Sequence, residues 1–174
     1  MEPLLLDARV AINLVASGVP LDDIAASAGV RFTMTSVAAA ETLYLAPDRA
    51  SGERMVIDLS ARSLDIVELD PDELASFVEL AAQVDDGEAA TLAVAIHRHL
   101  ELATDDRRGS RLAKEHGIAV VTTASLVRRW ANDAAAPAAA IAAAVDAIRR
   151  CASFIPPRSD PDYDWWCGMG GPAA

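Results

Sequence analysis

Asp7 ends the apolar run Leu4, Leu5, Leu6 in "LLLDARVAINL", and an apolar-periodic stretch follows it at once. A carboxylate there lies beyond the end of a buried strand, the place where loops converge and ligands bind in open parallel α/β sheets. Asp105 and Asp106 hold the same place after "ELAT". Glu41 falls within "SVAAAETLYL", on a helix face otherwise made of Ala, Val, Leu and Tyr, where a charge is expensive unless paired or bound to a cation. Glu88 opens "GEAATLAVAIHRHL" directly after Asp85 and Asp86. Acidic groups from four segments, with no lysine near any of them in sequence, are the donor set of a hard divalent cation that takes oxygen ligands.

Each acid also has a simpler explanation. Asp7 can cap the helix that follows it, and either Asp105 or Asp106 can cap a helix starting near Arg107. Asp85 and Asp86 read as caps, with Glu88 favourable at a positive helix end. Glu41 is the hardest to dismiss, and the simpler explanations together require a coincidence at four places.

The elements that must position these groups follow from periodicity. Short β-rich runs alternate with alanine-rich helical patterns: "PLLLDA" then 8–17; "RFTMT" then 36–46; "SLDIVEL" then 71–84 and 87–100; "ELAT" then 107–116; "IAVVT" then 123–131. This alternation predicts βαβ units, hence an α/β fold with a mostly parallel central sheet covered by helices on both faces. "LDPDE" marks a helix start, with Asp70 as cap and Pro71 at the first helical position, and "KEHGIAVV" stops a helix at Gly117. From Asn132 the texture changes. "DAAAPAAAIAAAVDAIRRCASF" predicts an alanine-dominated helix with an Ile141, Val145, Ile148 stripe. "IPPRSDPDYDWWCGMGGPAA" is rich in Pro, Gly and Asp and predicts an irregular or disordered tail unless it docks, for which Trp165 and Trp166 are the natural anchors.

At 174 residues, slightly over half of them apolar, one domain with one core is expected. The apolar runs fall short of the roughly 20 residues of a membrane span and residues 1–15 lack signal-peptide features, so a cytoplasmic protein is expected. Cys151 and Cys167 suit neither a zinc site nor a redox pair and are expected to stay reduced. His97 and His99, two apart on a helix, point in different directions and read as surface or packing residues. A net charge of −11 argues against nucleic-acid binding by bulk electrostatics. Its distribution is uneven, however: residues 58–90 carry Arg62 as their only cation, whereas 107–129 hold Arg107, Arg108, Arg111, Lys114, Arg128 and Arg129. One face can therefore be basic on an acidic molecule.

In order and spacing, "LLLDARVAINL", "TSVAAAETLYL", "DDGEAATLAVA" and "LATDDRRGSRLAKEHGIAVVTT" resemble the four signature blocks of PIN domains, the fold of VapC-type toxin ribonucleases. The "GEA" and "DDRRGSRLAKEHGI" segments look closest to small prokaryotic PIN proteins with Gly-Glu-Ala at the third block. The resemblance covers residues 4 to about 130. It implies a three-layer α/β/α PIN-like domain over 1–131, a C-terminal helix over 132–154 packing on it, and the tail over 155–174.

By position the resemblance makes Asp7, Glu41 and Glu88 the first three acids. The fourth is Asp106 by the Thr-x-Asp pattern with Thr104, or Asp105 by the Asp-Asp variant; Asp106 is preferred. It implies catalysis by Asp7, Glu41, Glu88 and Asp106, and Mg²⁺ or Mn²⁺ held by these with Asp105. The metal would generate hydroxide from water and stabilise in-line displacement at phosphorus in single-stranded RNA. Arg107, Arg108 and Arg111 are the candidate RNA contacts, a solvated helix face being the alternative. A cognate antitoxin and a homodimer are implied as well, and no membrane. One departure is that Ala8 and Arg9 stand where a small hydroxyl or amide residue is common; Arg9 can pair with Asp7 or reach a phosphate. This departure and the acidic net charge favour the rival reading, a catalytically inactive PIN-like binding module. Other α/β enzymes fit poorly. Arg9 stands where a haloacid-dehalogenase phosphatase needs a second Asp, a receiver domain's acidic pair before Asp7 is missing, and there is no GxGxxG after the first strand.

Overall fold

The computed structural model describes residues 1–42, 44–48, 53–59 and 64–169. Five strands, β1 (Glu2–Leu6), β2 (Val30–Thr35), β5 (Asp65–Val67), β6 (Glu101–Ala103) and β7 (Val120–Val121), form one sheet in the order β5-β2-β1-β6-β7, with every pairing parallel. The chain winds outward from β1 to β2 and β5, then returns to the other side of β1 to lay down β6 and β7. Winding therefore reverses between β1 and β6, and the crevice at their carboxyl ends is where this topology places a ligand.

Side-chain alternation in β1 separates the two cores. Leu4 and Leu6 pack with Val10, Leu14, Ile24 and Leu126, whereas Leu5 joins Leu92, Leu102 and Leu112, all of them essentially inaccessible to water. Helices α1 (Ala8–Ala16), α2 (Leu21–Ala28) and α7 (Thr123–Asp133) thus cover one face. The other is covered by α4 (Pro71–Leu80), α5 (Asp86–Arg98) and α6 (Arg107–Glu115). The three-layer α/β/α architecture expected from the alternating pattern is the one that forms.

Three stretches differ from expectation. The helix over 36–46 is shorter: α3 (Ser36–Glu41) ends where Thr42 leaves helical geometry at φ −85°, ψ 64°, its hydroxyl bonded back to the Ala38 carbonyl. Residues 44–48 instead form strand β3 (Tyr44–Asp48), antiparallel to β4 (Glu53–Val56). Pro47 disfavours helical geometry at Ala46 before it, and Tyr44 suits a strand. Leu21–Ala28, unmarked by any strong periodicity, is a helix closed by Gly29 at φ 71°.

The C-terminal stretch differs as well. Helix α8 (Ala138–Ala147) gives way to a π-helical turn over Ile148–Ala152, and within the stretch expected to be irregular Tyr163–Met169 forms α9. Trp166 is fully buried in the first core and meets Phe154 edge-on at 5.5 Å and 87°. Such a pair adds about 0.5–1.5 kcal/mol beyond its buried area. Docking through an indole was the condition under which the tail could order, and Trp166 meets it. Neither Cys151 nor Cys167 is in a disulfide among the described residues. Among the described residues no single helix is long and apolar enough to cross a membrane.

The start expected for α4 is built as a full capping box: Asp70 accepts from Asp72 and Glu73 amides while Glu73 Oε2 accepts from the Asp70 amide at 2.8 Å. Glu73 is completely buried, and Arg98 from α5 donates to both its oxygens at 2.6 and 2.8 Å, holding the carboxyl below its ordinary range. Removing one partner strands the other's charge. Arg98 being about a third exposed, Arg98→Leu should therefore lower stability by about 1–3 kcal/mol at neutral pH. The deficit should shrink as pH falls through the carboxylate range, where wild type loses the same pairing; urea melts at both pH values check it.

Candidate active site

Asp7 is set at the β1/β6 crevice by the sheet itself: its amide donates to the Ala103 carbonyl at 3.0 Å, continuing the β1–β6 ladder by one residue. Its carboxylate is 7% exposed, accepts from the Arg9 and Val10 amides at 2.6 and 3.0 Å as the cap of α1, and accepts from the Thr104 hydroxyl. Burial pushes this carboxyl up from its ordinary value against the pull of those hydrogen bonds. The cap and the crevice are thus the same group.

Glu41 is the last residue of α3, exposed rather than on a buried face, because the helix ends there. Its carboxylate turns back onto the start of α5, accepting from the Gly87 amide at 2.9 Å. A Cβ at Gly87 would stand 2.1 Å from Glu41 Oε2, so the glycine is what admits the carboxylate. Partial burial raises the Glu41 carboxyl, and Asp85, Asp86 and Asp7 raise it further.

Glu88, in the first turn of α5, lies against Gly109 of α6, where a Cβ would come 1.9 Å from its Oε1. That oxygen is buried and has no hydrogen-bond partner. Burial first, then the charges of Asp106, Asp7 and Asp85, push Glu88 up to about 7. Asp106 caps α6 through the Arg108 and Gly109 amides at 2.6 and 3.1 Å and remains exposed.

These groups share one pocket of about 360 Å³. Asp7, Glu41, Asp85, Glu88 and Asp106 supply its carboxylates, and Arg9 is the one cation among the described residues lining it. Among the described residues no three acids or imidazoles stand close enough together to form a ready chelate. Like charges separate until a cation intervenes, and Asp7, Asp85 and Asp106 are meanwhile occupied as helix caps. The donor set nevertheless fits a divalent metal, because oxygen ligands abound and the burial of Glu88 outweighs the one relief its carboxylate has, the Gly109 amide.

Asp105 stands apart. It accepts from Asn13 Nδ2 at 2.9 Å and from the Thr123 amide and hydroxyl at 2.9 and 2.5 Å, joining α1 to the start of α7, and it does not line the acidic pocket. Burial raises it to about 6 despite these bonds, Asp7 adding to the rise. Arg9 makes no ion pair with Asp7 within the described residues, but lines the pocket. Of the three candidate arginines, Arg107 and Arg111 line a neighbouring groove and the exposed Arg108 does not.

Sequence reasoning passed over Asn13, Thr123, Gly87, Gly109 and the pocket-lining role of Asp85. Asn13 had a signal, an amide on the apolar stripe "VAINLV" that only a buried partner explains, and it is 1% exposed. His97 meets Ser76 Oγ at 2.8 Å and His99 closes α5 at φ 54°, both away from the pocket.

Between about pH 4.5 and 7 folded Glu88 keeps a proton that the unfolded chain has released, so its contribution to stability is lost as pH rises through that window. In metal-free buffer the Tm should fall between these pH values, and Glu88→Gln should flatten much of the fall in a thermal melt series. Gly109→Ala should behave differently. The helix gains up to about 1 kcal/mol of propensity while the displaced Glu88 carboxylate leaves the pocket, so Tm holds or rises and Mn²⁺ affinity drops. Calorimetry of both quantities tests the pair.

The PIN domain family model matches residues 31–158, about three-quarters of the chain. The match takes in Glu41, Glu88, Asp105 and Asp106; Asp7 lies before it, and is tied to it through β1, which pairs with the matched strands β2 and β6. No curated protein matches the chain.

Proposed function

The chain belongs to the PIN domain family, a nuclease superfamily, and on that premise we propose that it is a metal-dependent endoribonuclease cleaving single-stranded RNA. One observation carries the reading: five carboxylates line the crevice where the sheet's winding reverses, and one buried oxygen, Glu88 Oε1, has no partner. Asp7, Glu41, Glu88 and Asp106 would hold Mg²⁺ or Mn²⁺. When bound, the cation supplies hydroxide at neutral pH and positive charge for the displacement at phosphorus.

The chain's own residues do the positioning. Thr104 and two backbone amides fix Asp7, Gly87 fixes Glu41, and Gly109 leaves room for Glu88. Asp105, its oxygens taken up by Asn13 and Thr123, holds α1 and α7 in place behind the pocket. Arg9 stands on the rim where an incoming phosphate meets it.

The finer identity is part of the same proposal. A VapC-like toxin is supported by the Gly-Glu-Ala block, whose glycine is the residue that seats Glu41. With it go a cognate antitoxin that presents a basic side chain to the carboxylates, a homodimer, and a cytoplasmic site of action. The rival is a silent PIN-like binding module. It is favoured by Arg9 on the rim and by the separation of the acids, which among the described residues stand too far apart for a ready chelate.

Asp7→Asn separates the two. Asn keeps the α1 cap, so the fold should hold to within about 1 kcal/mol. Mn²⁺-dependent cleavage of single-stranded RNA should fall by more than about a hundredfold, beyond what loss of an outer hydrogen-bond partner costs. Equal, negligible cleavage by both proteins would leave the binding module.

A further inference from the structure

The two oxygens of Asp7 are held by two different parts of the chain. Oδ1 accepts from the Arg9 and Val10 amides at the start of α1, whereas Oδ2 accepts from the Thr104 hydroxyl at the end of β6. Thr104 Oγ1 in turn accepts from the Asp106 amide at 3.1 Å, so one hydroxyl joins the first acid of the pocket to the backbone of the last. The place of Asp7 against Asp106 therefore depends on how α1 sits against the 104–106 turn.

Asp105 sits in the middle of that turn and bonds to both neighbours. Its Oδ1 accepts from the Thr123 amide at 2.9 Å, the first residue of α7, where helix amides otherwise lack partners and negative charge is favoured. Its Oδ2 accepts from the Thr123 hydroxyl at 2.5 Å and from Asn13 Nδ2 of α1 at 2.9 Å, and the same Nδ2 reaches the Thr123 hydroxyl at 3.2 Å. Each of the three side chains thus meets the other two. Asn13 and Thr123 are closed to solvent, so water does not compete for these bonds. The ring fastens the turn to α1 and α7 at once.

We infer that Asp105 is a positioning residue for the divalent cation: with Asn13 and Thr123 it sets the 104–106 turn against α1 and so keeps Asp7 and Asp106 in the relative places a shared ion requires. The inference rests on the metal-dependent reading of the pocket. Asp105 itself does not line that pocket and acts only through its neighbours. The need for such a device is physical. Among the described residues no three acids form a ready chelate, so binding must draw at least one carboxylate inward, and every group already fixed lowers the ordering cost of the rest.

The test is Mn²⁺ affinity by titration calorimetry of the full chain without RNA, well below the Tm that parallel melts supply. Asp105→Ala should weaken binding by about tenfold to a hundredfold, the range for partners that orient metal ligands. That variant also removes a negative charge near the pocket. Thr123→Val removes no charge, only the hydroxyl, and should still weaken binding by about tenfold. Thr123→Ser, which keeps the hydroxyl, should bind as wild type does. Arg98→Leu, which loosens the fold at the buried Glu73 pair, is the stability control and should also keep wild-type affinity. Wild-type affinity in Thr123→Val overturns the inference, because charge alone then explains Asp105→Ala; an equal loss in Arg98→Leu overturns it too. Either result leaves Mn²⁺-dependent RNA cleavage free to stand. Affinity that follows the ring in a protein that cleaves no RNA supports the inference and removes the nuclease reading. No Mn²⁺ binding by wild type overturns both.

Discussion

Like charge held at close quarters is the constraint around which this molecule is arranged. Five carboxylates face one small cavity with a single arginine on its rim. Burial of Asp7 and of Glu88, and the further push of Asp106, Asp7 and Asp85 on Glu88, raise the carboxyls rather than relieve them. A sheet of Leu4, Leu5 and Leu6 with helices packed on both faces supplies the rigidity that keeps those groups lining one pocket, although no three of the described acids stand close enough for a ready chelate. The surplus of negative charge is a liability to the apo fold and an asset to anything that must capture a doubly charged ion.

Helix capping and site building are carried out by the same side chains. Asp7, Asp85 and Asp106 each satisfy amides at a helix start and each reach the pocket. The two explanations of these acids were therefore never alternatives: Asp7 and Asp106, each between a strand and a helix, sit both at the helix's positive end and at the sheet's ligand-binding edge, and Asp85 reaches the same pocket from the start of α5. Glycine completes the arrangement. Gly87 and Gly109 stand where a methyl would strike a carboxylate, which ties two motif glycines to the seating of Glu41 and Glu88 rather than to any turn.

Much of this was legible in the sequence. Strand and helix alternation, the Asp70 cap and the stop at Gly117 rest on local chemistry that a chain displays openly, whereas the grouping of Asp7, Glu41, Glu88 and Asp106, which line one pocket, was carried by the order of the four motif blocks. What was not legible depends on tertiary partners. Glu41 looked buried because α3 looked long; the chain instead leaves the helix at Thr42 and pairs residues 44–48 with a hairpin partner. Asp105 and Asp106 are chemically identical neighbours, and only Asn13 and Thr123, distant in sequence, tell them apart. The C-terminal segment has the composition of a disordered tail, and a single indole finding a slot beside Phe154 reverses that.

The first strand occupies the middle of the sheet, and its neighbour on one side is made of residues 101–103. A ribosome emitting this chain releases Asp7 early and Thr104, its hydroxyl partner, only after roughly the first hundred residues have emerged. Until then Asp7 has no crevice and Glu88 no Asp106 or Gly109 beside it. Closing so long a loop is slow compared with local helix formation. The pocket therefore cannot be complete until residues 104–109 have left the ribosome, and whatever chemistry it performs waits on a segment that lies almost a hundred residues beyond Asp7.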